Sequence, residues 1–295
     1  MLLRRSKINV GLAIVYLFVA AYTLACLIPM LLVVGGSFQD ESEIALSGYR
    51  IIPTTFSLAA YTTLFRRGDI LANAYRVTIT VTLAGTFFSM IVSSMLAYAL
   101  SIRQLKLHRA LSVYTIVTIV FNGGMVPWYI VCVNYLNLRN SMLAMIIPPL
   151  CSAFNVFLLR NYFYSLPIEM SESARIDGAG DLRIFWQIIL PLSTPVLASV
   201  SLFICLMYWN DWWHGLMLVD RSRLQPLQLM LRQIVSNVLA LRSDPTAGSE
   251  MAIGSIPTEG VKLATCCVTI GPIILVYPFV QRYFISGIMI GAVKG

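Results

Sequence analysis

Charge is what this sequence has least of. Asp, Glu, Lys and Arg make up 12% of its 295 residues, against about a quarter in soluble domains. So few charges do not make a water-facing shell. With 58% hydrophobic residues and a mean hydropathy of +0.78, the composition places the chain in a bilayer. Histidine is nearly absent, and His108 and His214 lie far apart in sequence. A zinc site or a buried Ser/His/Asp constellation is hard to build from them, so no metal ligand is assigned. Cys26, Cys132, Cys151, Cys205, Cys266 and Cys267 all lie in or beside apolar runs without a C-x-x-C, which reads as buried thiols rather than a disulfide framework. There is no G-x-x-x-x-G-K-[ST], so the chain is not expected to bind ATP itself, and no H-E-x-x-H or G-x-S-x-G. An enzyme is disfavoured for lack of parts, and no catalytic residue is assigned. The net charge of +8 is scattered at the ends of apolar runs without aromatic interleaving, which argues against a nucleic-acid partner.

What the chain has instead is a series of apolar runs. Arg4, Arg5 and Lys7 precede the first, 8–34, which is longer than the ~7–15-residue core of a signal peptide and reads as an uncleaved span. Others follow at 77–102, 110–133, 140–160, 194–213 and 261–281, each near the ~20 residues that cross a bilayer. The prediction is an all-α membrane protein of about six transmembrane helices in one domain over 1–295. External loops are expected at 35–76 and 214–260, and a cytoplasmic tail at 282–295. Pro272 and Pro278 are expected kinks in the last span.

Orientation does not follow from a raw count, since 11 Lys and Arg fall on the amino-terminal side and 10 on the other. Position decides. The amino-terminal cluster and the short connection with Arg103, Lys106 and Arg109 are dense and close to span ends, where the positive-inside rule acts most strongly. Residues 35–76 hold four basic and four acidic groups, and 211–262 hold five of each. Both termini are therefore expected in the cytoplasm, together with the polar connection at 166–193.

That connection is the one long segment both charged and patterned. Pro167 and Glu169 suit a helix start, Gly178 offers a left-handed stop, and Gly180 or Asp181 can cap a second short helix. Ser171, Ala174 and Gly178 form a small-residue strip, suited to close approach by another protein. Ile184, Phe185, Ile188 and Ile189 form an apolar face, and Pro191 is expected to end the second helix. From these residues alone, an ordinary polar connection and a docking knob both remain open. Glu172-Ser173-Ala174, Asp177-Gly178-Ala179, Ile188 and Leu190-Pro191 resemble the EAA loop of ABC-importer permease subunits, with Ser173 where that family usually carries Ala. The resemblance implies a type I importer transmembrane domain whose coupling helix docks on an ATPase subunit through Glu172, Ser173, Ala174, Asp177, Gly178, Ala179 and Pro191.

The carboxyl end, from Gln281-Arg282-Tyr283-Phe284 to Gly291 and Gly295, resembles maltose-type carbohydrate permeases of the complex-oligosaccharide branch. This implies that a tail with Gly291, Lys294 and Gly295 reaches the ATPase dimer; a frayed polar terminus is the alternative. Leu224–Arg232 reads as an amphipathic external loop and resembles the one that meets the binding protein. Two amides lie inside spans, Asn122 and Asn155, and either bond neighbouring helices or line a substrate path. Tyr208-Trp209-Asn210-Asp211 closes the fifth span, as an interfacial aromatic belt or as an external gate for a polyhydroxy ligand.

The resemblance implies a multi-pass subunit in the bacterial plasma (inner) membrane. Its implied partners are a second permease subunit in a heterodimer, two ATPase subunits and an extracytoplasmic substrate-binding protein, with membrane lipid around them. No cofactor is implied for this chain; ATP and Mg belong to the ATPase subunits. An ion-coupled secondary sugar transporter and a non-transporting membrane scaffold are the alternatives. The first usually keeps ionisable residues at mid-membrane, and the centres of these spans carry none.

Overall fold

The computed structural model describes residues 10–66, 68–102, 104–243 and 259–274. Among them the backbone is helical or irregular, apart from one isolated antiparallel bridge between Gln39 and Phe56. The chain divides into two compact units, with boundaries at Gly68, Arg232 and Gly271.

The first unit carries α1 (Val10–Ser37), α2 (Glu41–Ser47) and α3 (Ala59–Arg66). A returning helix over 259–274 contributes its residues up to Gly271. Asp40 caps α2 by accepting from the Ser42 N–H at 3.0 Å. Glu41 accepts from the N–H groups of Glu259 and Gly260, at 3.0 and 3.1 Å, and so neutralises the open start of the returning helix. Glu43 gathers the segment after α2, accepting from the N–H groups of Thr54 and Thr55 and from the Thr55 hydroxyl.

The second unit is organised by α4 (Gly68–Ser101), whose 34 residues reach about 51 Å at 1.5 Å each. Around it lie α5 (His108–Val120), α6 (Met125–Ile130), α7 (Leu143–Ile146) and α8 (Ala153–Ser165). Next come α9 (Ile168–Ile176), α10 (Asp181–Ile184), α11 (Leu190–Leu192), α12 (Thr194–Trp209) and α13 (Trp213–Leu218). The last is α14 (Leu227–Ser243), which continues past the boundary at Arg232. Val77, Val81 and Leu100 of α4 meet Val156 and Leu159 of α8 and Val200 and Ile204 of α12 in one buried cluster. Arg160 donates to the Leu100 carbonyl at 2.9 Å, satisfying a group left open at the end of α4.

The spans are less regular than the apolar runs suggested. Among the described residues two helices are by themselves long and apolar enough to cross a membrane, Gly11–Ser37 and Gly68–Ser101. The run at 110–133 turns by 113° between His108–Val120 and Met125–Tyr135. Asn122 accepts the Gly124 N–H at 2.9 Å, and Gly124 has φ +84°, so the helix is stopped and restarted within four residues of Phe121. The run at 140–160 is divided around Pro148-Pro149 into α7 and α8, because a proline lacks the N–H that a continuous helix requires. The fifth run gives the 16-residue α12, which meets the preceding Asp181–Leu192 at 85°. Leu224–Arg232 is not a loop: after a turn at Ser222–Leu224 it enters α14, burying Leu227 and Leu229. The expected sixth span, 261–281, is described only as far as residue 274, and the tail with Gly291, Lys294 and Gly295 lies outside the described residues.

Candidate functional site

The connection at 166–193 forms two short helices set against each other by one turn. Pro167 sits just before α9, at its N-cap. At the other end Gly178 has φ +81°, its N–H donates to the Arg175 carbonyl at 3.0 Å, and the Ala179 N–H reaches the Ala174 carbonyl at 2.9 Å. These are the paired bonds of a Schellman stop, and glycine occupies its left-handed position without a Cβ penalty. Gly180, with extended backbone, then starts α10. Arg175 ties the two helices together, donating to Asp181 at 2.8 Å and to Gln104 at 3.4 Å. Sequence patterning missed this clamp, since a six-residue spacing across a glycine has no helical periodicity.

Pro191 does not end the second helix. A π turn over Phe185–Ile189 carries α10 into α11, and the 85° bend falls next, at Ser193. The wider turn relieves the clash between a proline ring and the carbonyl four residues back. Ile184, Phe185 and Ile189 are buried as the pattern predicted, and Phe185 packs on Tyr98 of α4 at 5.3 Å between ring centroids.

The small strip, however, is not one open face. Ser171 and Ala174 are half-buried, with Ala174 packed on the chain's own core, while Gly178 at the turn is exposed. Periodicity identifies residues that share a side but not which way that side faces. The outward surface includes Ile168, Glu169, Glu172, Ser173, Ile176 and Asp177, with Leu182 and Trp186 beyond the turn. Ile176 is 87% exposed and Leu182 66%, in a segment with no apolar reason to meet water. Between the two helices Ala174, Asp177, Ala179, Arg183, Ile184, Gln187 and Ile188 line a cleft of about 240 Å³. The element is anchored on one side and bare on the other.

The end of α12 has a different character. Tyr208 is buried, and its hydroxyl donates to the Ile146 carbonyl at 2.9 Å. Trp209 is buried beside it. Asn210 is exposed, donating to the Leu206 carbonyl and accepting from Gln228 Nε2 at 3.1 Å. Asp211 is committed to the backbone: Oδ1 accepts from the N–H groups of Trp213 and His214, at 3.1 and 3.2 Å, while Oδ2 lies 2.8 Å from His214 Nδ1. It therefore caps the start of α13. Asn122 holds the bend between α5 and α6, and Asn155 is buried within α8. The structure thus groups Tyr208 to Asp211 at one helix end, and it places the two amides on separate elements.

No family model matches the chain. The chain is 40% identical over 283 residues to the polygalacturonan/rhamnogalacturonan transport system permease protein YtcP of Bacillus subtilis (strain 168), spanning 96% of this chain and 97% of that protein. It is 28% identical over 271 residues to the arabinooligosaccharides transport system permease protein AraQ of Halalkalibacterium halodurans, spanning 90% and 91% respectively. Among solved structures it is similar to a chain of a bacterial ABC transporter involved in the import of the acidic polysaccharide alginate. That likeness has a TM-score of 0.78 at 29% identity, covering 96% of this chain and 99% of that one. An all-helical, charge-poor membrane protein that matches these transport subunits along nearly its whole length belongs to the permeases of ABC sugar-transport systems.

Proposed function

We propose that this permease is one of two transmembrane subunits of an ATP-driven importer for an oligosaccharide. A second permease subunit completes the pathway. Two ATPase subunits bind ATP and Mg on the cytoplasmic side, and an extracytoplasmic binding protein delivers the sugar. The chain lies multi-pass in a bacterial plasma membrane with both termini in the cytoplasm. ATP binding closes the ATPase pair, the element at Ile168–Leu192 moves with it, and the cavity switches from inward-facing to outward-facing to receive sugar.

The observation that carries this reading is the anchored element itself. Its outer face offers Glu172, Ser173, Ile176 and Asp177 to a partner, while Phe185 and Ile189 root it in the packing around α4. A displacement at Ile176 is passed on through packed side chains rather than absorbed by a loop. The runs of apolar sequence lack a central ionisable group for an ion gradient to act on, so the free energy enters from outside the chain. The names of the relatives, with polygalacturonan, arabinooligosaccharides and alginate among their cargoes, support a complex oligosaccharide as substrate.

The test is uptake by the assembled complex in vesicles, with its binding protein and a panel of oligosaccharides. Uptake is expected to require ATP. Gly178→Val is expected to uncouple hydrolysis from uptake with the spans still folded. A Cβ there meets nothing within 4 Å, so the cost is conformational, about 1–2 kcal/mol for a left-handed L-residue, and it falls on the turn. Normal uptake in that variant counts against the coupling role. Uptake by this chain alone under an ion gradient replaces the reading with a secondary carrier, and ATPase binding without uptake replaces it with a scaffold.

A further inference from the structure

Between the end of α12 and the first turns of α14, the second unit gathers a cation, two indole rings and two amides. The Arg232 guanidinium lies 3.7 Å from the centroid of the Trp212 ring. Trp213 meets Trp212 edge-on, with centroids 5.7 Å apart. Gln228 lies one turn before Arg232 on the same side of α14 and donates to Asn210. Arg232, Asn210 and Trp213 are exposed.

The cation at this place is not neutralised within the described chain. Arg139 is paired with Asp220 and Arg175 with Asp181, each with the arginine's N–H donating to a carboxylate. Arg232 has no carboxylate partner among the described residues. Asp211, next to Trp212 in sequence, is occupied by two backbone N–H groups and the His214 ring. The turn leading into α14 adds two further exposed arginines, Arg221 and Arg223.

We propose that Arg232, held over the Trp212 ring beside Asn210 and Gln228, is a specificity-determining residue that reads the carboxylates of an acidic oligosaccharide at the external mouth of the importer. This rests on the importer reading above. The cation–π contact with the indole restrains the guanidinium, whose N–H groups have no carboxylate partner among the described residues and suit a two-point contact with one. The planar fork is held before the ligand arrives, so little rotamer freedom remains to be lost on contact. Trp213 adds an aromatic face for the sugar ring, and the two amides suit its hydroxyls. A neutral sugar finds the same ring and amides, and the cation then faces only water.

The assembled transporter in vesicles, with its binding protein and ATP, is given trigalacturonate or its methyl ester, and the ratio of the two uptake rates is measured. The wild type is expected to favour the acid. Arg232→Gln is expected to lower the acid-to-ester ratio roughly 10-fold, the scale of a hydrogen bond to a charged group. Arg232→Lys, which keeps the charge without the planar fork, should fall between them. The binding protein is common to all three, so any change of ratio belongs to this chain. An unchanged ratio in Arg232→Gln, whatever happens to the absolute rate, makes Arg232 a pin between α13 and α14 and overturns the assignment. So does a wild type that imports neutral oligosaccharides and refuses acidic ones, although the importer reading then stands. If the wild type imports no sugar with ATP, the importer reading falls and this inference falls with it.

Discussion

Gly85 of α4 is where the packing around Tyr208 is most sharply testable. A Cβ added at Gly85 would lie 2.6, 2.6 and 2.8 Å from three carbons of the Tyr208 ring. Carbon contacts are comfortable at about 3.5–4.0 Å, so Gly85→Ala creates an overlap of about 1 Å. The ring has little freedom to yield, because it is 2% exposed and its hydroxyl is held by the Ile146 carbonyl. Either α4 shifts or the ring leaves its hole. Overpacking of this kind costs about 1–3 kcal/mol, and the buried hydrogen bond adds about 1 kcal/mol if it is lost. Gly85→Ala is therefore expected to destabilise by about 2–4 kcal/mol, read as a fall of several degrees in the melting temperature of the detergent-solubilised complex. Tyr208→Ala removes the obstacle, so the double variant should be less damaged than the sum of the singles. The expected coupling is at least about 1 kcal/mol, within the range found for residues in contact. A Gly85→Ala protein that melts with the wild type, or strictly additive singles, would refute the reasoning. Tyr208 would then be mobile, as a gate requires.

Two further predictions concern polar groups outside the spans. The Thr55 hydroxyl and the N–H groups of Thr54 and Thr55 hold the Glu43 carboxyl down, from the ordinary 4.5 to about 2. A depressed carboxyl stabilises the folded state above its unfolded value and ceases to do so as pH falls through its folded value. The difference in melting temperature between wild type and Glu43→Gln should be constant above pH 4.5 and shrink toward pH 2; a difference independent of pH over that window contradicts the hydrogen-bond assignment. Asp211→Ala removes the cap of α13 and should cost about 1 kcal/mol, while Asp211→Asn, which can still accept the two N–H bonds, should cost less and retain uptake. Loss of uptake in Asp211→Asn with unchanged melting would return Asp211 to the substrate path.

The legible parts of this molecule are those decided within a few residues. Gly178 announces a left-handed stop wherever the rest of the chain goes, and Ile184, Phe185 and Ile189 share a face in any helix. Apolar runs also reported that the chain is a membrane protein, because that inference sums over many side chains. Direction was not legible. A hydropathy run over 110–133 has no term for the 113° turn at Gly124, although Asn122-Gly123-Gly124 is visible within it. Of the small strip, Ser171 and Ala174 face inward while Gly178 stays exposed, because Phe185 and Ile189 root the neighbouring helix nearby, which is a tertiary fact. The Arg232–Trp212 contact joins residues 20 positions apart, one in the connection before α13 and one on α14, and no local pattern carries it. Leu224–Arg232 was amphipathic in sequence, but helix was decided by what its apolar side could bury against α4, where Thr78 accepts the Leu227 N–H at 2.8 Å.

In the proposed mechanism the turn at Gly178 is gripped by an ATP-hydrolysing neighbour on the inner side of the membrane. A single cysteine at Ile176, the most exposed apolar residue of that element at 87%, tests it in a background with the native cysteines replaced. An impermeant thiol reagent is predicted to leave this cysteine untouched in intact cells and to label it in inverted vesicles. A short cross-linker placed on it should capture the ATPase subunit. Labelling from outside the cell, or a cross-linker that captures only lipid, contradicts the account.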